Sequence, residues 1–149
     1  MSFGKYFSPN KDVVEKAIRY AEQKGVLLIH AAGNDGDDID VKDHFPVPAY
    51  ANGKTATNWM EIGASSWGTG KEFVADFSNY GKNTVDVFAP GTDIYATVPD
   101  NEYESLQGTS MASPVVAGVA AVLMSYFPEL TAVDVRNIIS QSVRKFDGL

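Results

Sequence analysis

The first regular hydrophobic pattern lies between residues 8 and 25. Its apolar positions recur three or four residues apart, as on one face of an amphipathic helix: Val13, Val14, Ala17, Ile18 and Ala21. Asn10 or Asp12 can cap the start of this helix, and Gly25 can end it. The run VLLIHAA follows at once without polar alternation, which is typical of a strand covered on both faces. A helix followed by a buried strand indicates an α/β fold.

The rest of the chain alternates short apolar runs with polar turns. Residues 33–58 form a polar stretch that predicts a long loop, a feature that is often functional in a compact domain. Four later runs predict strands: WMEIGASS (59–66), EFVADFS (72–78), VDVFAP (85–90) and DIYATVP (93–99). Helices are predicted over about 110–126 and 132–145, the second with Thr131 as cap and Asp134 at the capping-box position. Because the 110–126 helix is apolar nearly all round, we expect it to be buried.

Composition narrows the function classes. The chain has 149 residues, the length of one domain, and a formal net charge of −7, which argues against a nucleic-acid partner. With no cysteine, it has no disulfide, no thiolate metal site and no cysteine nucleophile. The longest apolar run, Val115–Met124, is about half of the roughly 20 residues that a membrane span needs. The opening residues also lack the apolar core of a signal peptide.

The segment GTSMASP, residues 108–114, places Ser110 at the start of the apolar helix. In one interpretation Ser110 or Thr109 is a helix cap. However, Thr109 already offers a capping oxygen, and Pro114 has no N–H for the Ser110 carbonyl. A nucleophilic serine is the other interpretation, and it needs a base. The α/β-hydrolase order is excluded for this stretch, because no histidine follows residue 44.

Several segments together resemble the subtilisin-like serine proteases, the subtilases. GTSMASPVVAGVAAVLM is similar to their nucleophile signature, and HAAGNDG to their oxyanion-asparagine segment. SFG near the start resembles the strand that pairs with substrate, while FSNYG and VDVFAPG resemble the intervening strands. The matches keep their order from residue 2 to about residue 145. The resemblance implies a three-layer α/β/α fold with a mainly parallel sheet, present only in part and occupying residues 1–149.

The resemblance also implies roles for single residues. Ser110 corresponds to the nucleophile of a serine endopeptidase and Asn34 to its oxyanion-hole amide, with Thr109 in support. Without the resemblance, Asn34 in GNDG would be interpreted as a turn residue. An extended peptide or protein substrate would lie in a pocket walled by Ser2, Phe3, Gly4, Ala31, Ala32 and Gly33.

Neither histidine is expected to be the base. His30 matches a structural strand-end position of the family, and His44 lies in an acidic loop. That loop, Asp35–Asp43, holds five aspartates and one lysine. It is interpreted either as a solvated face or as a structural Ca²⁺ site with Asp35, Asp37, Asp38 and Asp40 as candidate ligands. No cofactor is expected to be required for catalysis.

The family's triad aspartate and histidine lie in Asp-Ser/Thr-Gly and His-Gly-Thr-His segments, and neither segment occurs in these residues. We therefore expect the C-terminal half of a catalytic domain, nearly inactive alone and self-associating through an uncovered sheet edge. Two alternatives stay open, a non-catalytic peptide-binding relative and a truncated product without separate function. The family implies a secreted or cell-envelope location.

Overall fold

The computed structural model describes residues 1–5 and 7–145. Its helices are α1 (Lys11–Gln23), α2 (Thr109–Tyr126) and α3 (Ala132–Ser142), and its strands are β1 (Leu28–Ala31), β2 (Trp59–Ser65), β3 (Val87–Pro90), β4 (Ile94–Val98) and β5 (Glu102–Leu106). Short 3₁₀ turns occupy Gly70–Glu72 and Pro99–Asn101. The predicted helices and three of the four later predicted strands are therefore confirmed, and Thr131 and Asp134 form the expected capping box.

The central sheet is parallel, with the order β1-β2-β3. The start of the chain extends it beyond β1, because the main-chain nitrogen of Met1 donates to the Ile29 carbonyl and Ala31 N donates to the Met1 carbonyl at 3.0 Å. Strands β4 and β5 form a separate antiparallel hairpin. The predicted mainly parallel sheet is confirmed.

Helices cover both faces of this sheet. Successive side chains of a strand point to opposite faces, and β2 follows this rule. Met60 and Ile62 are fully buried in one cluster with Val116 of α2 and Val135 of α3. Trp59, on the opposite face, packs in a second cluster with Ile18 of α1 and with Tyr50 and Ala56 of the long loop. The arrangement is the three-layer α/β/α fold, present in part.

The expectation that α2 is a buried helix holds for one of its sides only. Its Ala112 and Ala120 face the sheet, whereas Val122 on the other side is 58% exposed. Among the described residues a layer covers α2 on one side only, so apolar composition did not translate into complete burial. By its length of 18 residues and its apolar composition α2 is also long enough to cross a membrane, and here one side of it packs against β1, β2 and β3.

Three smaller expectations were wrong. EFVADFS forms no strand. Both edges of β2 are already paired, with β1 and β3, and in this segment only Val74 forms an isolated bridge, with Ser65 of β2. Strand β5 was missed because its sequence, EYESL, is mostly exposed and carries no apolar face. Helix α3 ends at Ser142 rather than near residue 145.

Candidate active site

A glycine at the start of α2 sets the position of Ser110. Gly108 is the N-cap and has a φ of 145°, a conformation that favours glycine. Its N–H donates to the Gly91 carbonyl at 2.8 Å, and its carbonyl accepts from Met111 N at 3.0 Å. The cap therefore has no side chain, and neither Ser110 nor Thr109 occupies the N-cap position. As the second residue of α2, Ser110 has an N–H without an intrahelical acceptor.

Ser110 is also tied to the start of the chain. Pro114 lacks the N–H that would bond the Ser110 carbonyl within the helix. The hydroxyl of Ser2 takes that place and donates to the Ser110 carbonyl at 3.0 Å. In return, the Ser110 hydroxyl donates to the Ser2 carbonyl at 3.2 Å. Because Pro114 leaves the Ser110 carbonyl without a helical partner, this carbonyl is available to bind the Ser2 hydroxyl and anchors the start of the chain.

Asn34 lies in the turn three residues after the end of β1, in contact with the first residue of α2. Its Oδ1 accepts from Thr109 N and from Thr109 Oγ1, each at 2.9 Å. These two donors orient the amide so that Nδ2 points away from Thr109. A methyl group built on Gly108 would lie 3.2 Å from Asn34 Nδ2 and 3.6 Å from Ser110 N. Both nitrogens therefore lie beside Gly108, where a side chain would crowd them.

Asn79 holds the loop that carries Asn34. Its Nδ2 donates to the Ala32 carbonyl at 2.9 Å, and its Oδ1 accepts from Asp35 N and Asp37 N, each at 3.0 Å. Its own N–H donates to the Gly33 carbonyl at 2.9 Å. Sequence reasoning missed this residue and took FSNYG as part of a connecting strand. The available signal was the polar pair Ser78 and Asn79 after Phe77, but nothing in it indicates the 32–37 loop as the partner.

These elements surround a cleft of about 490 Å³. Eight lining residues are candidates from the sequence: Ser2, Phe3, Gly4, Ala31, Gly33, Asn34, Thr109 and Ser110. The ninth candidate of that group, Ala32, does not line the cleft but lies buried behind it. The cleft also includes Lys5, Asp35, His44, Phe45 and Asn79, which were not assigned to the pocket.

The two histidines occupy different surroundings, and neither is hydrogen-bonded to Ser110. His30 is 2% exposed and lies between Glu61 and the Phe3 carbonyl. His44 lines the cleft, and its buried Nε2 has no hydrogen-bond partner among the described residues. The partner of the Ser110 hydroxyl is the Ser2 carbonyl, which does not act as a base at neutral pH.

The acidic loop uses its carboxylates for local contacts. Asp40 accepts from the Thr84 hydroxyl at 2.6 Å and from Asn83 N, and these hydrogen bonds, that of Thr84 first, hold the pKa of Asp40 below its ordinary value. Asp38 accepts from Asp40 N, and Asp37 pairs with Lys42. Within residues 1–5 and 7–145, no three acidic or histidine side chains are grouped as a metal ion requires. Calcium binding at this loop stays a prediction.

Comparison with known proteins identifies the family. The model of the subtilase family matches residues 1–148, and the chain belongs to that family. It is 38% identical over 135 residues to a thermophilic serine proteinase of Bacillus sp. (strain AK1), covering 91% of this chain and 30% of that protein. It is 37% identical over 129 residues to subtilisin DY of Bacillus licheniformis, covering 87% of this chain and 43% of that protein.

The fold agrees with a solved structure of a cold-adapted subtilisin-like serine proteinase. The TM-score is 0.79 at 31% identity, with 99% of this chain and 49% of that chain covered. The chain thus spans less than half the length of each of these three relatives. Its partial subtilisin-like fold is shown by this likeness.

Proposed function

We propose that these residues form part of a serine endopeptidase site that cleaves peptide bonds through an acyl-enzyme on Ser110. The observation that carries the proposal is that Asn34 Nδ2 and Ser110 N lie close together beside Gly108, with both residues lining the cleft. Membership of the subtilase family supports the same reaction class. A secreted or cell-envelope location is part of the proposal and rests on the family alone.

The geometry suits acyl transfer. When the Ser110 hydroxyl oxygen attacks the scissile carbonyl carbon, the carbonyl oxygen becomes negatively charged. Donors that are already in place stabilise this charge without reorganisation. Asn34 Nδ2 and Ser110 N are such donors, and the positive end of the α2 dipole adds to their effect. Thr109 supports the site indirectly, since it orients the Asn34 amide.

The cleft also offers places for an extended peptide. The segment Ser2–Gly4 lies on one side of it, and Ala31 and Gly33 lie on the other. No regular strand covers Ser2–Gly4 in the described chain. The Ser2 and Phe3 carbonyls accept from the Ser110 hydroxyl and from His30, and we propose that the remaining main-chain groups of this segment pair with a substrate by strand addition. A peptide or protein substrate is therefore the proposed partner.

The base is the part that these 149 residues do not provide. The family's triad runs Asp, His, Ser along the chain, and the two segments that carry the Asp and the His do not occur in this sequence. We propose that both come from polypeptide outside these residues and that the chain alone acylates poorly. A peptide-binding role without catalysis is the second candidate, because the binding edge is formed while the partner of the Ser110 hydroxyl is a carbonyl oxygen and not a base.

Labelling with a fluorophosphonate serine probe, read by intact mass, tests the proposal. The variants are Ser110→Ala and, as a matched control, Ser125→Ala, an exposed serine of the same helix. We expect no adduct on the chain alone. After a segment carrying the family's Asp and His is added, we expect a stoichiometric adduct. This adduct should be absent in Ser110→Ala and present in Ser125→Ala.

The other outcomes are equally informative. A Ser110-dependent adduct on the chain alone would mean that a base lies within it, and His30 and His44 would then be replaced in turn. Failure to label the reconstituted protein would refute the endopeptidase proposal and favour peptide binding without catalysis.

A further inference from the structure

His30 and Glu61 form a buried pair behind the binding edge. They are register partners on β1 and β2, and they are 2% and 1% exposed. His30 Nδ1 lies 2.7 Å from Glu61 Oε1, and His30 Nε2 lies 2.7 Å from the Phe3 carbonyl oxygen. The second carboxylate oxygen of Glu61 accepts from Trp59 Nε1 at 2.8 Å. Both ring nitrogens of His30 therefore face oxygen.

Counting protons fixes the charge of this pair. The Phe3 carbonyl only accepts, so His30 Nε2 must carry a hydrogen to bond it. The contact between Nδ1 and Glu61 needs a second hydrogen, on either atom. A neutral imidazole beside an ionised carboxylate has one hydrogen for two contacts and can make only one of them. Both contacts exist together only when the pair has one more proton and is neutral as a whole.

The Phe3 contact bears directly on the cleft. Phe3 lies between Ser2, which is bonded to Ser110, and Gly4, and all three line the cleft. Farther along, Lys5 N donates to the Phe45 carbonyl at 2.9 Å. The hydrogen bond from His30 is thus the side-chain link between the middle of this segment and the central sheet.

We propose that His30 is a positioning residue, which with Glu61 holds one shared proton that fastens the Ser2–Gly4 edge to the sheet, and that loss of this proton releases the edge. The fastening follows from the geometry alone, whereas its consequence for peptide binding rests on the proposed function. A deprotonated pair would also bury a net negative charge, which is unfavourable without a compensating partner.

Several charged groups lie next to the pair. On the Glu61 side, Asp86 accepts from Glu61 N at 2.8 Å. Arg136 of α3 pairs with Asp86 at 2.7 Å. The amino group of Met1 interacts electrostatically with Glu61. Toward the edge, His30 meets the Phe3 ring and carbonyl.

Glu61→Gln separates this mechanism from simple packing. A glutamine can donate from its amide nitrogen to His30 Nδ1 and accept from Trp59 Nε1 with its oxygen. His30 then keeps its hydrogen on Nε2 as a neutral ring and needs no shared proton. The variant should hold the Phe3 carbonyl at every pH at which the wild-type edge is released. Glu102→Gln, the same change at an exposed position on β5, is the matched control.

The experiment is an NMR titration of the full chain from about pH 6 to about pH 10, with labelled histidine ring nitrogens and a labelled Phe carbonyl carbon. In the wild type and in Glu102→Gln, we expect the shared proton and the Phe3 carbonyl shift to change in one step. Protection of the Ala31 amide, which donates to the Met1 carbonyl, should fall about tenfold in the same step. In Glu61→Gln the carbonyl shift and the protection should stay constant.

Two results would overturn the proposal. One is a His30 titration that leaves the Phe3 carbonyl and Ala31 protection unchanged, and the other is a Glu61→Gln variant that shows the wild-type step. If the wild-type pair keeps its proton up to about pH 10, the His30→Ala variant tests the proposal instead. Unchanged protection of the Ala31 amide in that variant would refute the fastening, and lost protection would support it.

Adding a blocked tetra-alanine peptide separates this proposal from the proposed function. Binding that weakens together with the Phe3 step supports both. An edge that is released as expected, in a chain that never binds the peptide, supports the role of His30 and contradicts the peptide-binding part of the proposed function.

Discussion

Thr109 donates two hydrogen bonds to a single atom of Asn34, its Oδ1, from its main-chain nitrogen and from its hydroxyl. The same hydroxyl accepts from Gly33 N at 3.1 Å. Thr109 is 1% exposed, so water cannot replace these partners. The first residue of α2 therefore fixes the backbone of Gly33 and the side chain of Asn34 in the turn after β1.

Replacing this threonine should destabilise the fold. Thr109→Val keeps the shape but removes the hydroxyl, which leaves Gly33 N without its acceptor. We expect a loss of about 1–3 kcal/mol in the free energy of unfolding, the range for an unsatisfied buried group. Urea unfolding of Thr109→Val measures the loss, and Thr109→Ser, which keeps the hydroxyl, is the control. Equal stability of the valine variant and the parent would contradict this account.

The close approach of Gly91 to Gly108 should also contribute to the stability of the fold. A methyl group on Gly91 would lie 2.6 Å from Ala64 Cβ and 2.9 Å from the Gly108 carbonyl oxygen, in the turn that precedes Ser110. Since part of that clash is with backbone, we expect Gly91→Ala to lose about 1–3 kcal/mol of stability.

Gly118 provides the opposite case on the exposed side of α2. A methyl group there meets nothing within 4 Å, and its backbone is helical. Gly118→Ala should therefore raise stability by about 1 kcal/mol, because alanine favours the helix. Thermal or urea unfolding of Gly91→Ala and Gly118→Ala tests these two predictions. A destabilised Gly118→Ala would show that this face of α2 is covered.

The sequence predicted most elements because their signals are local. The capping box at Thr131 and Asp134 and the spacing of apolar residues in α1 need only neighbouring residues. The segment order of the subtilase resemblance placed Ser110, Asn34 and the Ser2–Gly4 edge around one cleft. The loss of a helical partner for the Ser110 carbonyl was also predictable from Pro114, although its replacement by the Ser2 hydroxyl was not.

What could not be predicted depends on register and on contacts between distant segments. The pairing of Leu28 with Trp59 is what sets His30 opposite Glu61, and nothing local in either strand specifies it. Asn79 bonds to a loop more than 40 positions away, so its role cannot be inferred from FSNYG alone. The exposed face of α2 was missed for a different reason, since apolar composition does not say which side a neighbouring layer covers.

Glu22 of α1 links this helix to the long loop and should contribute to acid sensitivity. It accepts from Thr57 N and from the Tyr50 hydroxyl, each at 2.8 Å. These bonds, that of Thr57 N first, lower the pKa of Glu22 below 4.5. Burial, followed by the bond to Glu22, raises the pKa of Tyr50 to about 12.

The sign of the pH effect follows from these directions. A carboxyl whose pKa is lowered by folding stabilises the fold above its unfolded pKa of 4.5, and this contribution is lost as the pH falls through the folded pKa. Glu22→Gln should therefore reduce stability near neutral pH and flatten the decline below 4.5. Urea unfolding at several pH values measures both effects against Glu129→Gln, an exposed glutamate in the α2–α3 connection. Parallel pH curves for the parent and Glu22→Gln would rule out this role.

The exposed side of α2 should drive self-association of the chain. Val119 is 49% exposed, Val122 is 58% exposed and Tyr126 is 77% exposed, and their spacing places them along one stripe. Contiguous apolar patches on a soluble protein mark association sites or aggregation liabilities. We expect light scattering to show a concentration-dependent increase in mass for the parent chain. Val119→Lys with Val122→Glu should reduce it, whereas Lys16→Glu with Lys24→Ala on the opposite layer should not. A parent chain that stays monomeric at high concentration would refute the prediction, and association unaffected by the α2 changes would assign it to the uncovered sheet edge instead.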